Sequence, residues 1–143
     1  MSNSSVCGLL LAGGQSRRMG GGDKCLRRLG GQTVLARILH IVRPQVGPLV
    51  LNANGDGARF ADYDLPVASD VVDGFAGPLA GVLTGLEWAL DNVPECQWLA
   101  SFACDAPFVP RDLVSRFLAA VAEENADMAC ATSAGRDQPV FGL

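Results

Sequence analysis

Residues 9–26 read LLLAGGQSRRMGGGDKCL: an apolar run, then five glycines, Arg17, Arg18, Asp23 and Lys24 within a dozen positions. Backbone without Cβ atoms can bring N–H groups close to a ligand. Arginine offers a bidentate fork to phosphate and lysine a point charge. Gly13 and Gly14 with Arg17, Arg18 and Lys24 are therefore candidates for cradling a polyphosphate. The alternative is a solvated surface loop. Two familiar phosphate motifs are excluded by the residues present. A P-loop needs Gly-Lys-Ser/Thr, but Asp23 precedes Lys24 and Cys25 follows it. The G-x-G-x-x-G dinucleotide pattern is absent as well.

Two acids follow apolar runs. Asp105 stands directly after WLASFAC, where a strand would hold its carboxylate rigidly. Mg²⁺ is commonly held by one or two carboxylates plus substrate phosphates. Asp105 is thus a candidate metal ligand, with a turn- or helix-capping role before Pro107 as the alternative. Asp70 could form a turn or contact a ligand. Asn52 could close an Asx-turn, or read a base edge or a ribose hydroxyl. Arg136-Asp137 could meet a second substrate or form a surface turn. His40 falls within a helical pattern and is assigned no role.

The elements that must position these residues alternate in type. Val6–Ala12 is a continuous apolar run of strand length, expected to be central and parallel. Thr33 is a candidate N-cap for a helix carrying Val34, Leu35, Ile38, Leu39 and Val42 and closed by Pro44. Leu49–Leu51 reads as a strand, Ala58–Asp62 as a helical turn, and Val67–Ala68 as a short strand. An amphipathic helix is expected over Leu79–Leu90 and a strand over Trp98–Cys104. Asp112 is a candidate cap for a helix reaching Glu123. Strands are expected at Met128–Ala131 and in the closing QPVFGL. This alternation predicts an α/β fold: a Rossmann-like, open, mostly parallel sheet with helices on both faces. In such sheets ligands bind at the carboxyl ends of the strands. The loop after the first strand, Asp70 and Asp105 all fall at that edge.

The bulk numbers agree. The 143 residues suit one domain over 1–143. Residues 1–50 hold seven Lys/Arg against Asp23 alone, and the rest holds four Arg against fourteen acids. A basic N-terminal third fits an anionic ligand, and the acidic remainder argues against a nucleic-acid surface. No stretch approaches about 18 apolar residues, so no membrane span is expected. A cytoplasmic monomer is the expectation. The five cysteines form no C-x-x-C pair and are read as reduced core thiols. The sequence stops in apolar residues with no polar tail, which raises the expectation of a domain shortened at its C-terminal end.

LAGGQSRRMGGGDK resembles the signature of nucleotidyltransferases, in the Gly-Gly form of the molybdenum cofactor guanylyltransferases. NAN at 52–54, SD at 69–70, GPLAG at 77–81, CDAPFVP at 104–110 and RDQPVFGL at 136–143 follow in the family's order. The resemblance implies a nucleotide-diphospho-sugar transferase-like fold. It implies a magnesium-dependent transfer of GMP from GTP to Mo-molybdopterin, with release of pyrophosphate. Molybdoenzymes or other proteins of cofactor biosynthesis are the further partners implied. It sets Leu11, Ala12, Gly13 and Gly14 against GTP, together with Lys24, Asn52 and Asp70. It makes Arg18 the motif arginine, and Asp105 a ligand of both nucleotide and Mg²⁺. Arg18, Lys24 and Asp105 would carry the chemistry. A cytidylyl- or sugar-phosphate nucleotidyltransferase, or a GTP-binding module without catalysis, are the other readings.

Overall fold

The computed structural model describes residues 3–12, 24–72 and 77–143. Gly13, Gly14, Arg17 and Arg18 lie outside them. Strand β1 (Val6–Leu11) carries side chains buried on both faces, as its unbroken apolar run requires. It pairs in parallel with β4 (Leu49–Asn52) and β6 (Trp98–Ala103), and β4 pairs in parallel with β5 (Val67–Ala68). β7 (Cys130–Ser133) and β8 (Arg136–Gly142) complete a six-stranded sheet of order β5-β4-β1-β6-β8-β7. β8 runs antiparallel to both of its neighbours. The fold is α/β, with a mostly parallel sheet.

Helices cover both faces. α1 (Val34–Val42) and α3 (Leu113–Glu124) pack on the face that presents Val6, Leu10, Ala100 and Phe102. α2 (Pro78–Asn92) lies on the other, over Cys7, Leu9 and Val50. Thr33 caps α1 as predicted, its hydroxyl accepting from Ala36 N at 3.1 Å. At α3 the expectation fails in part. Asp112 occupies the cap position, but its carboxylate turns to Arg116 Nε at 2.9 Å. The free N–H of Val114 is taken instead by Gln45 Oε1 at 3.0 Å, while Gln45 Nε2 donates to Pro110 O. A buried glutamine from the turn after α1 thus ties the two helices together.

Helix α2 inverts the expected amphipathic pattern. Its buried face is Ala80, Gly81, Thr84 and Gly85, while Leu79, Leu83, Leu86 and Leu90 are exposed. The physical reason is proximity to the sheet. A Cβ on Gly85 would fall 2.6 Å from Leu9 Cδ2, and one on Gly81 would fall 2.6 Å from Leu11 Cδ2. Only small residues let the helix lie this close.

Two tight hairpins were not anticipated. β2 (Arg28–Leu29) and β3 (Gln32–Thr33) are joined by Gly30-Gly31, both at positive φ. A Gly-Gly pair with these angles suits a two-residue hairpin. β7 and β8 turn through Ala134-Gly135, also at positive φ. Arg136 and Asp137 are therefore strand residues, opposite Ser133 and Thr132, and not a surface turn.

Of the cysteines, Cys7, Cys25 and Cys104 are buried, whereas Cys96 is half-buried and Cys130 exposed, so the core reading fits the first three. Burial pushes the Cys7 thiol up to about 12, with nearby Cys96 adding to the effect. Among the described residues no helix is long and apolar enough to cross a membrane.

Candidate nucleotide site at the sheet edge

Strand register sets the site. Asn52 pairs with Ala68 on one side and Leu11 on the other, and Leu11 pairs with Ala103. Ala68, Asn52, Leu11 and Ala103 therefore form one row across four parallel strands, at their carboxyl ends. The ladder continues just past the row. Ala12 N donates to Asn52 O at 2.8 Å, Ala53 N to Ala68 O at 3.1 Å, and Cys104 N to Leu11 O at 3.2 Å. Asp70 and Asp105 each stand two residues beyond the row. Four predicted positions, Leu11, Ala12, Asn52 and Asp70, come together on neighbouring strands, with Asp105 one strand further along the edge. Asp70 follows β5 and Asp105 follows β6, with β4 and β1 lying between those two strands.

Asn52 belongs to β4 and is 2 % exposed. It forms no Asx-turn. Its Nδ2 reaches across to β5, donating to Ala68 O at 3.2 Å and to Asp70 Oδ1 at 2.8 Å. Both amide hydrogens are thus engaged, and Oδ1 remains as an acceptor. Oδ1 lies against Gly81 of α2, where a Cβ would sit 2.5 Å away. Asp70 in turn accepts from Asn54 Nδ2 at 2.9 Å through its second oxygen. Thr84 of α2 accepts from Val71 N at 3.0 Å and donates to Ala80 O, pinning the chain just after Asp70 to the helix.

Asp105 sits in an exposed turn immediately after β6. Lys24 opens a short 3-10 turn and is exposed. Among the described residues no three His, Cys, Asp or Glu side chains cluster to hold a metal. A divalent ion here would rest on Asp105 and on phosphate oxygens brought by a ligand. An exposed carboxylate on a rigid strand end suits that arrangement, and an oxygen donor suits Mg²⁺.

A family model described as "MobA-like NTP transferase domain" matches residues 8–143. The chain belongs to that family. A molybdenum cofactor guanylyltransferase of Bradyrhizobium sp. (strain ORS 278) is 55% identical over 142 residues, covering 99% of this chain and 67% of its own. One from Rhodopseudomonas palustris (strain HaA2) is 55% identical over 135 residues, covering 94% of this chain and 63% of its own. The chain spans about two thirds of the length of these curated relatives. Among solved structures, Rv0371C of Mycobacterium tuberculosis H37Rv, in complex with manganese, superposes with a TM-score of 0.68. It is 21% identical over 96% of this chain and 70% of that one. At that identity the likeness is one of fold.

Asn54, Arg59 and Gly81 stand out as individual residues only in the structure, where Arg59 Nη2 donates to Asn54 O. Asn54 and Gly81 lay inside the quoted NAN and GPLAG motifs. A signal for Gly81 existed in the pairing of small residues at 81 and 85, four apart on one helix face.

Proposed function

We propose that the chain is the nucleotide-binding part, or the whole, of a molybdenum cofactor guanylyltransferase that acts in the cytoplasm. Its substrates would be GTP and Mo-molybdopterin, and its products molybdopterin guanine dinucleotide and pyrophosphate. The observation that carries this reading is the 55% identity to relatives of that name over nearly all of this chain. The sheet edge supports it, since it sets the Asn52 Oδ1 acceptor beside Asp70 on one side and the exposed Asp105 carboxylate on the other.

In the reaction, a terminal phosphate oxygen of molybdopterin attacks the α-phosphorus of GTP in line. The new P–O bond forms as the bond from α-phosphorus to the bridging oxygen breaks, and pyrophosphate carries away the electron pair. The attacking phosphate is already ionised at neutral pH, so no strong general base is needed. Lys24 and Arg18 would offset repulsion between two polyanions and stabilise charge on the departing pyrophosphate. The backbone around Gly13 and Gly14 would approach the phosphates. Asp105 would hold Mg²⁺, which when bound supplies Lewis-acid polarisation of phosphoryl oxygens. Leu11, Ala12, Asn52 and Asp70 would hold the nucleoside end.

Competitive calorimetry with Mg²⁺ against GTP, CTP and ATP tests the reading. GTP should bind most tightly, as the Gly13-Gly14 form of the loop implies. CTP binding as tight or tighter would overturn the guanine assignment and favour a cytidylyltransferase.

A further inference from the structure

We infer that Asn54 is a positioning residue of the nucleotide site, which sets the orientation of the Asn52 side chain by clasping Asp70. The proposal rests on the reading of Asn52 and Asp70 as nucleotide contacts.

Asp70 follows β5, a strand of only two residues, so the sheet ladder alone holds it weakly. Asn54 supplies the missing restraint at two points. Its Nδ2 donates to Asp70 Oδ2 at 2.9 Å, and its Oδ1 accepts from Asp70 N at 2.8 Å. One side-chain amide therefore grips both the carboxylate and the backbone of Asp70. A carboxylate held this way has its other oxygen aimed at Asn52 Nδ2.

Asn54 is itself anchored. Arg59 Nη2 donates to Asn54 O at 2.6 Å, and Nη1 donates to Asp56 O. The same guanidinium lies over the Phe60 ring, 4.4 Å from its centroid, and that ring is buried in the core. Gly55, at φ 84°, allows the chain to double back between Asn54 and Arg59. Asp56 Oδ1 accepts from Ala58 N at 2.9 Å and starts the 3-10 turn that carries Arg59. A continuous set of contacts thus runs from Phe60 through Arg59 and Asn54 to Asp70 and Asn52.

The consequence concerns which atom Asn52 shows a ligand. An amide can rotate by half a turn and exchange donor for acceptor. With Asp70 and Ala68 O both taking hydrogens from Nδ2, the rotated form would set Oδ1 against two acceptors. The clasp therefore commits Asn52 to offering an acceptor, which suits a sugar hydroxyl or a base N–H of the nucleotide. Asn54 touches no ligand in this scheme. It acts through Asp70.

The test uses Asn54→Ala and Asn54→Asp in the full chain. In the ligand-free protein, the Asn52 side-chain amide signals should shift in Asn54→Ala and exchange faster with solvent. Affinity for Mg²⁺·GTP should fall about tenfold, the scale of one net hydrogen bond. Asn54→Asp keeps an acceptor for Asp70 N but sets two carboxylates together, and should fall further. Both readings are taken well below the unfolding midpoint, on variants whose backbone NMR spectra are native-like away from the loop. Unchanged Asn52 signals, or GTP affinity equal to wild type, would overturn the positioning role. If the wild-type protein does not bind Mg²⁺·GTP, the functional reading fails. The Asn52 signals then still decide whether the clasp exists.

Discussion

The two sides of the sheet edge are built on different plans. On the β4–β5 side, Asn52, Asn54 and Asp70 exchange hydrogen bonds with one another and with the backbone, and Arg59 and Thr84 brace them. On the β6 side, Asp105 stands exposed on a turn with the strand as its support. A network of this kind fixes direction, because the side-chain polar atoms of Asn52, Asn54 and Asp70, Asn52 Oδ1 apart, already have partners. An exposed carboxylate on a turn has its oxygens open to whatever arrives. The first plan suits recognition of a shaped group. The second suits a metal ion whose remaining ligands come with the substrate.

The largest expected effect breaks the β6 side. Asp105→Asn keeps the size and hydrogen-bonding ability of the side chain and removes its charge. Mg²⁺-dependent pyrophosphate release from GTP and molybdopterin should fall by at least about a hundredfold, the scale of losing charge stabilisation around a transferring phosphoryl group. Titrating Mg²⁺ against GTP affinity should show the metal dependence flattened as well. Near-normal release by the Asn form would remove Asp105 from metal binding.

The next effect strains the β4–β5 side without deleting any of its polar groups. Gly81→Ala would place a methyl 2.5 Å from Asn52 Oδ1 and 2.6 Å from Leu11 Cδ2. Either α2 lifts from the sheet or Asn52 turns, and both disturb the network. Overpacking of this kind costs about 1–3 kcal/mol, readable as a lowered midpoint in urea, with GTP binding weakened alongside. An unchanged midpoint would mean that α2 sits less tightly on Leu11 and Asn52 than the distances indicate.

The contrast also explains what could be read in advance. The strand-end position of Asp105 was legible because its signal is local: an apolar run ends and an acid follows. The same logic found β1, α1 with its Thr33 cap, and the parallel alternation of the sheet. Asn52 was legible as a position, through the NAN motif, but its partner was not. The Asn52–Asp70 bond joins residues eighteen apart in sequence, and it exists because β4 and β5 pair in a particular register. Gln45 serving as the cap of α3 is hidden in the same way, since its partner lies 69 residues on. Helix α2 shows a different limit. Its leucines suggest an inward face by hydrophobicity, whereas close packing on β1 demands the small face. The β2–β3 hairpin could have been read from Gly30-Gly31, the two-residue loop that suits such a turn.

The smallest expected effect separates the two plans most cleanly, because it is close to nothing. If Asp105 serves a ligand and not the fold, Asp105→Ala should leave stability within about 0.5 kcal/mol of wild type, as surface substitutions away from structural features do. The capping alternative predicts otherwise. An Asp that caps a turn or helix loses about 1 kcal/mol when replaced by Ala, whereas Asn caps nearly as well as Asp. Comparing Ala and Asn at this position by urea denaturation therefore distinguishes the roles. Equal midpoints for wild type, Asp105→Ala and Asp105→Asn fit a carboxylate held in reserve for a ligand. A loss confined to the Ala form assigns Asp105 to the turn. The measurement needs neither GTP nor molybdopterin, so it is independent of the proposed reaction. Set beside Gly81→Ala, it asks whether one side of the edge is part of the folded framework while the other stands on it.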